Sequence, residues 1–145
     1  MVQLKRELVV TQPAEELWRR LNDPVLLGKC IPGCESVSVI DQDTSRWIVK
    51  MSVGVISRKI DAKAKIVERD HAQRALVVKF NSADGDFTGI FRIRVRGGDE
   101  VGAASCILDL DTEIEARGSF QWIVNQVIKS QLDKFSAEFT RCISS

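Results

Sequence analysis

Apolar and polar positions along the chain change period three times, and the changes divide it into elements. Leu4 to Val10 alternates weakly and is rich in residues that suit a strand. From Pro13 the spacing becomes helical. Leu17, Trp18 and Leu21 fall on one face, Pro13 suits a first turn, and Glu15 and Glu16 lie near the positive end of the dipole. This predicts a helix over about Pro13 to Leu21. Asn22 ends it, and Asp23-Pro24 begins a second, short helix, with Asp23 as N-cap and Pro24 at the first helical position. That helix carries Val25, Leu26 and Leu27. It stops at Ile31-Pro32-Gly33, because proline disfavours helix in the residue before it and glycine permits a turn.

From Glu35 to Glu115 the period is two, interrupted at Asp41 to Ser45, Gly54 to Ser57, Asp70 to Gln73, Ser82 to Gly85 and Gly97 to Gly102. Six strands in succession follow, and connections of about three to six residues favour antiparallel hairpins over crossovers. Alternation assigns an apolar face. It holds Trp47, Val49, Met51 and Val53, then Ile60, Ala62, Ala64 and Ile66, then Leu76, Val78 and Phe80. Phe87, Phe91, Ile93 and Val95 continue it, followed by Cys106, Leu108 and Leu110. The opposite face is charged. There Arg92, Arg94 and Arg96 precede Asp109, Asp111 and Glu113, and cross-strand ion pairs explain these rows more simply than an anion site does.

After Gly118 the period returns to that of a helix, with Ser119 as its cap and an end near Ile143. Phe120, Val124, Val127, Ile128, Leu132, Phe135 and Phe139 form one broad apolar stripe. The apolar face of the sheet is wide enough to receive it. The expected fold class is therefore α+β: a curved, seven-stranded antiparallel sheet around a long C-terminal helix, with two short helices after the first strand. Trp122 falls opposite the stripe and is expected to be exposed, either as an anchor for a partner or membrane surface or packed on a neighbouring loop.

The 145 residues fit one domain, 1–145, and 44% hydrophobic content with 28% charge argues against disorder. A net charge of +1 offers no global field for nucleic acid. No apolar run approaches the roughly 18 residues of a membrane span, and the N-terminus lacks an export signal, so a cytoplasmic location is expected. In that compartment Cys30, Cys34, Cys106 and Cys142 are expected to be reduced and mostly buried. With His71 the only histidine, zinc lacks a ligand set, and no metal or cofactor is expected.

Catalytic candidates are few. His71 lies in the charged turn Glu68-Arg69-Asp70-His71 and is expected to be solvated. The sequence has no phosphate loop and no nucleophile elbow, and Gly97-Gly98 belongs to a turn. Carboxylates on strands alternate outward. Ser52, Thr88 or Asn81 would turn inward only if a strand slipped register. What remains is the space between sheet and helix, which opens where inward residues are small, at Ala62, Ala64 and Gly89. An apolar ligand there would meet Trp47, Met51, Val53, Ile60, Ala62, Ala64, Phe80, Phe87, Phe91, Leu108, Val127 and Ile128. The alternative, that these side chains fill the space themselves, stands beside it with equal weight.

The element order resembles the helix-grip fold of the START-like (SRPBCC) superfamily. Leu21-Asn22-Asp23-Pro24-Val25-Leu26-Leu27 followed by Cys30-Ile31-Pro32-Gly33-Cys34-Glu35 further resembles the CoxG family of carbon monoxide dehydrogenase subunits. The resemblance implies a non-catalytic accessory protein that binds a lipid or quinone and serves a molybdenum hydroxylase such as carbon monoxide dehydrogenase. It implies no catalytic residues. A cyclase or aromatase type of enzyme on the same fold and a ligand-free docking module are the alternatives. Longer family members add a hydrophobic C-terminal segment, whereas this sequence stops at Ser144-Ser145. Membrane contact at the inner surface is therefore expected to be reversible, through Trp122 or the mouth of the pocket.

Overall fold

The computed structural model describes the backbone of residues 2–98, 100, 102–118 and 120–145, and their side chains except those of 2, 53, 120, 123, 124 and 127–133. Strand β1 (Val2–Val10) leads into helices α1 (Ala14–Leu21) and α2 (Pro24–Lys29). Strands β2 (Cys34–Val39), β3 (Thr44–Val53), β4 (Ile56–Asp70), β5 (Ala75–Ser82), β6 (Phe87–Arg96) and β7 (Cys106–Ala116) follow, then helix α3 (Phe120–Ser144). The capping role expected for Ser119 lies outside the described residues. Asp23 caps α2 by accepting the amides of Val25 and Leu26 at 3.0 and 3.2 Å, so the Asp-Pro pair starts this helix by the mechanism its sequence indicates.

The sheet order is β1-β7-β6-β5-β4-β3-β2, every pair antiparallel. Each consecutive pair from β2 to β7 is a hairpin, and β1 closes against β7. The registers put Trp47 beside Ala62, Ala64 beside Phe80, Phe80 beside Gly89 and Phe91 beside Thr112, all on the inner face. No slip brings Asn81 or Thr88 inward; they pair with each other on the charged side. A bulge between Ile66 and Glu68 shifts the register of β4 against β5 and turns Arg69 towards the Leu76 position. Arg69 then donates to Asn22 Oδ1 at 2.6 Å and pairs with Asp43 at 3.1 Å, tying the end of α1 to the sheet.

Where β1 runs into α1, the inner face is closed. Leu17 and Leu21 of α1, Leu76, Leu108 and Ile143 of α3 are fully buried there, and Trp18 lies among them. His71 is exposed as expected, yet its Nδ1 accepts the indole N–H of Trp18 at 3.1 Å, satisfying the one polar atom of a buried ring. On the outer face Arg92 reaches Glu113 at 3.0 Å, while Arg96 reaches Asp109 at 2.7 Å and Glu7 of β1 at 2.6 Å. Arg92 and Arg96 of the charged row are thus held in cross-strand pairs. Trp122 is 52% exposed, on the side of α3 that the helical spacing indicates.

The cysteine expectation requires correction. Cys30 and Cys142 form a disulfide, with Cα atoms 5.3 Å apart. Cys30 is the C-cap of α2 and Cys142 lies in the last turn of α3, so the fold joins residues separated by 112 positions. Only Cys34 and Cys106 are free.

Candidate functional site: an apolar cavity between sheet and helix

Away from α1, the inner face of the sheet and α3 stand apart and enclose a cavity of about 330 Å³. This is the size of a small ligand pocket. Its floor is aromatic. Phe80 stacks on Phe91 with ring centroids 4.8 Å apart and leans on Phe87 at 5.3 Å, three rings brought together by the β5–β6 register. Trp47, Ile60 and Ala62 form the β3–β4 wall, and Leu4, Thr112 and Ile114 form the β1–β7 wall.

Two glycines set the remaining wall. A Cβ on Gly28 would stand 2.7 Å from Trp47 Nε1, so only glycine lets α2 settle on the indole, whose N–H donates to Ser45 Oγ at 2.9 Å. Gly33 has φ +87°, and a Cβ there would stand 2.4 Å from the Lys50 carbonyl oxygen. The Lys50 amide donates to the Gly33 oxygen at 2.8 Å, fastening Ile31-Pro32-Gly33 to β3 as one side of the cavity mouth. The Cys-Ile-Pro-Gly-Cys segment therefore builds the entrance. Phe135, Lys134 and Glu138 of α3 face it, with Lys134 Nζ 3.9 Å from Glu138 Oε1.

Of the side chains singled out in the sequence, Trp47, Met51, Ile60, Ala62, Phe80, Phe87 and Phe91 line this cavity. Val53, Val127 and Ile128 lie outside the described side chains. Ala64 and Leu108 are not in the lining. Ala64 is buried between its strand neighbours Ser45 and Phe80, and Leu108 belongs to the end closed by α1. Gly89 opens no gap either, because the Phe80 ring occupies the place of its missing side chain. The lining further includes Leu4, Thr112 and Ile114, which the period-two pattern of β1 and β7 places inward, Ser52, which borders the cavity although the β3–β4 register does not slip, and Lys134 and Glu138, which flank the apolar stripe of α3.

Chemically the site offers apolar contact and a polar rim. The thiols of Cys34 and Cys106 are pushed above the ordinary cysteine value, first by burial, which makes neither a ready nucleophile. Among the described residues no group of three or more His, Cys, Asp or Glu could hold a metal ion, and no helix is long and apolar enough to cross a membrane.

Residues 7–145 match the CoxG family, described as a carbon monoxide dehydrogenase subunit. No curated protein matches the chain. Among solved structures it is similar to a conserved protein of Geobacillus kaustophilus, with a TM-score of 0.77 and 19% identity over 99% of this chain and 93% of that one. A Thermus thermophilus protein gives 0.67 and 14%, over 99% and 94% of the two chains. Norcoclaurine synthase of Thalictrum flavum gives 0.65 and 22%, over 99% and 84%. At these identities the likeness shows a shared helix-grip fold.

Proposed function

The chain belongs to the CoxG family of carbon monoxide dehydrogenase subunits, and from that premise we propose that residues 1–145 form one non-catalytic domain that holds a lipid or quinone in its cavity. In this reading the domain is an accessory to a molybdenum hydroxylase such as carbon monoxide dehydrogenase. It works in the cytoplasm, with reversible contact at the inner membrane surface. The observation that carries the reading is the apolar cavity of about 330 Å³ floored by Phe80, Phe87 and Phe91. Close-packed interiors leave few voids larger than a water molecule, so an opening of this size favours a guest over self-filling side chains and over a ligand-free docking module.

Native mass spectrometry of the purified protein, alone and after incubation with ubiquinone or phosphatidylglycerol, tests this. A one-to-one adduct is the expected result. A protein that remains bare with every apolar compound offered would remove the ligand from the proposal.

A second reading, a cyclase or aromatase type of enzyme, is favoured by the Lys134–Glu138 pair at the cavity rim and by the fold shared with norcoclaurine synthase. Lys134 is exposed and Glu138 half-buried, so water competes for both groups. A general acid or base gains from a drier setting. Turnover of an aromatic substrate that disappears in Glu138→Gln, with ligand binding retained, would favour this second reading.

A further inference from the structure

The β3–β4 hairpin reaches beyond the rest of the sheet. On one side the pairing of β3 with β2 ends at Val49, and on the other the pairing of β4 with β5 begins only at Ala62. Residues 51–58 therefore pair with each other alone. With a strand rise of about 3.3 Å per residue, the tip projects by roughly 15 Å. At the apex Val55 is 102% exposed and Ile56 48%. Val39 and Ile40 beside the β2–β3 turn form another adjacent exposed pair, at 52% and 53%, but Val55 and Ile56 are the pair that stands at the end of a projecting hairpin.

Within the hairpin segment itself the charge has one sign. Lys50-Met51-Ser52-Val53-Gly54-Val55-Ile56-Ser57-Arg58-Lys59 contains three basic residues and no acidic one. Arg58 lies 4.0 Å from Asp84 and Lys59 3.6 Å from Glu35, exposed pairs that contribute little and can be exchanged for another anion. The overall charge of +1 supplies no general attraction, so an anion preference has to come from a local group of basic residues such as this one. Two apolar side chains offer far less than the roughly 1,200 Å² or more of a stable protein interface. They do suit shallow insertion below a layer of anionic headgroups.

The hairpin also leads to the cavity. Met51 and Ile60 line it, and Ile56 follows Ile60 on the same face of β4 towards the apex. We propose that the β3–β4 hairpin is the element that docks this protein on an anionic phospholipid bilayer, Val55 and Ile56 entering the interface with Lys50, Arg58 and Lys59 on the headgroups. The docked molecule presents the mouth of the cavity beside Met51 to the membrane. That last consequence rests on the ligand reading given above; the contact itself does not.

Flotation of the purified full chain with phosphatidylglycerol–phosphatidylcholine vesicles, against phosphatidylcholine alone, tests the proposal. Wild type is expected to float with the anionic vesicles only and to be released by salt. Val55→Asp is expected to bind at least about tenfold more weakly, from loss of a buried valine. Lys59→Glu is expected to bind at least about fivefold more weakly, from loss of one basic contact. Val9→Asp, at a 77% exposed position on β1, is expected to float as wild type does. Thermal melts check that each variant is folded. Wild-type flotation by Val55→Asp, equal binding to neutral vesicles, or no flotation at all would overturn the proposal. So would a dimer, seen without vesicles, that Val55→Asp dissociates. Native mass spectrometry of Val55→Asp reads the cavity separately: retained ligand with lost flotation supports docking by the hairpin. A wild type that floats but never carries ligand leaves docking intact and removes the ligand reading.

Discussion

The ring of Phe80 occupies the space a side chain on Gly89 would need: a Cβ built there would lie 2.1 Å from Phe80 Cζ and 2.7 Å from the Glu113 carbonyl oxygen. The two residues are direct partners across β5 and β6, so the glycine lets the ring lie flat on the sheet and become the floor of the cavity. Gly89→Ala is expected to destabilise the protein by about 1–3 kcal/mol, the usual range for overpacking. Phe80 alone cannot relieve it, because the backbone oxygen of Glu113 also blocks the site. Urea denaturation at constant m-value measures the loss, and an unchanged midpoint would show that the ring does not sit there in solution.

Ala62 and Ala64 look equivalent in the sequence and are not equivalent in the fold. Ala62 faces the open cavity beside Trp47, whereas Ala64 is fully packed and outside the lining. Ala62→Phe is expected to place its ring in the void, keep the fold and abolish uptake of an apolar fluorophore. Ala64→Phe is expected to lower stability by about 1–3 kcal/mol, since no space receives the ring. Fluorescence titration and thermal melts on the two variants separate the effects, and equal loss of stability in both would contradict the cavity geometry.

The strands were legible in the sequence because period-two alternation and Gly or Asp turns act locally, and the register then follows from hairpin lengths. The aromatic part of the site followed from the same alternation. What could not be read was contact between distant segments. The sequence around His71 indicates a solvated side chain, and nothing local indicates that Trp18 donates to it. Alternation likewise gave Leu108 the same inward direction as Phe91, without showing that α1 covers only one end of the sheet. Lys134 and Glu138 escaped because they flank the helix stripe, and only the shape of the mouth brings them to the site.

Arg46 and Asp61 join β3 to β4 through two bonds, Nε to Oδ1 at 2.8 Å and Nη2 to Oδ2 at 2.6 Å. The hydrogen bonds from Arg46 hold the Asp61 carboxyl below the ordinary aspartate value of 3.8. A carboxyl depressed in the folded state adds stability above the unfolded value, and that contribution is lost as the pH falls from 3.8 towards the lower folded value. The pair is exposed, so its effect is small and salt-sensitive. Wild type and Asp61→Asn are expected to differ slightly in Tm at neutral pH and to converge in acid. A difference that grows as the pH falls below 3.8 would contradict this linkage.

The Cys30–Cys142 bond closes a loop across 112 positions of the 145-residue chain. In the chain-entropy account a loop of about 100 residues gives roughly 4.7 kcal/mol, and measured bonds more often give about 2–4 kcal/mol. For a domain of this size, about 2–4 kcal/mol corresponds to a Tm change on the order of 10 °C. Oxidised wild type is therefore expected to melt well above Cys142→Ser, and addition of a dithiol reductant is expected to bring the two together. Thiol titration of the denatured protein gives an independent reading: the free pair Cys34 and Cys106 should react before reduction, and Cys30 and Cys142 only after it. The bond joins the residue preceding the Ile31-Pro32-Gly33 side of the cavity mouth to the helix that carries Phe135 and Glu138. Reduction should thus also loosen the entrance, and uptake of an apolar fluorophore is expected to be faster in the reduced protein than in the oxidised one. Equal melting temperatures with and without reductant, together with four reactive thiols from the start, would show that the two cysteines stay apart.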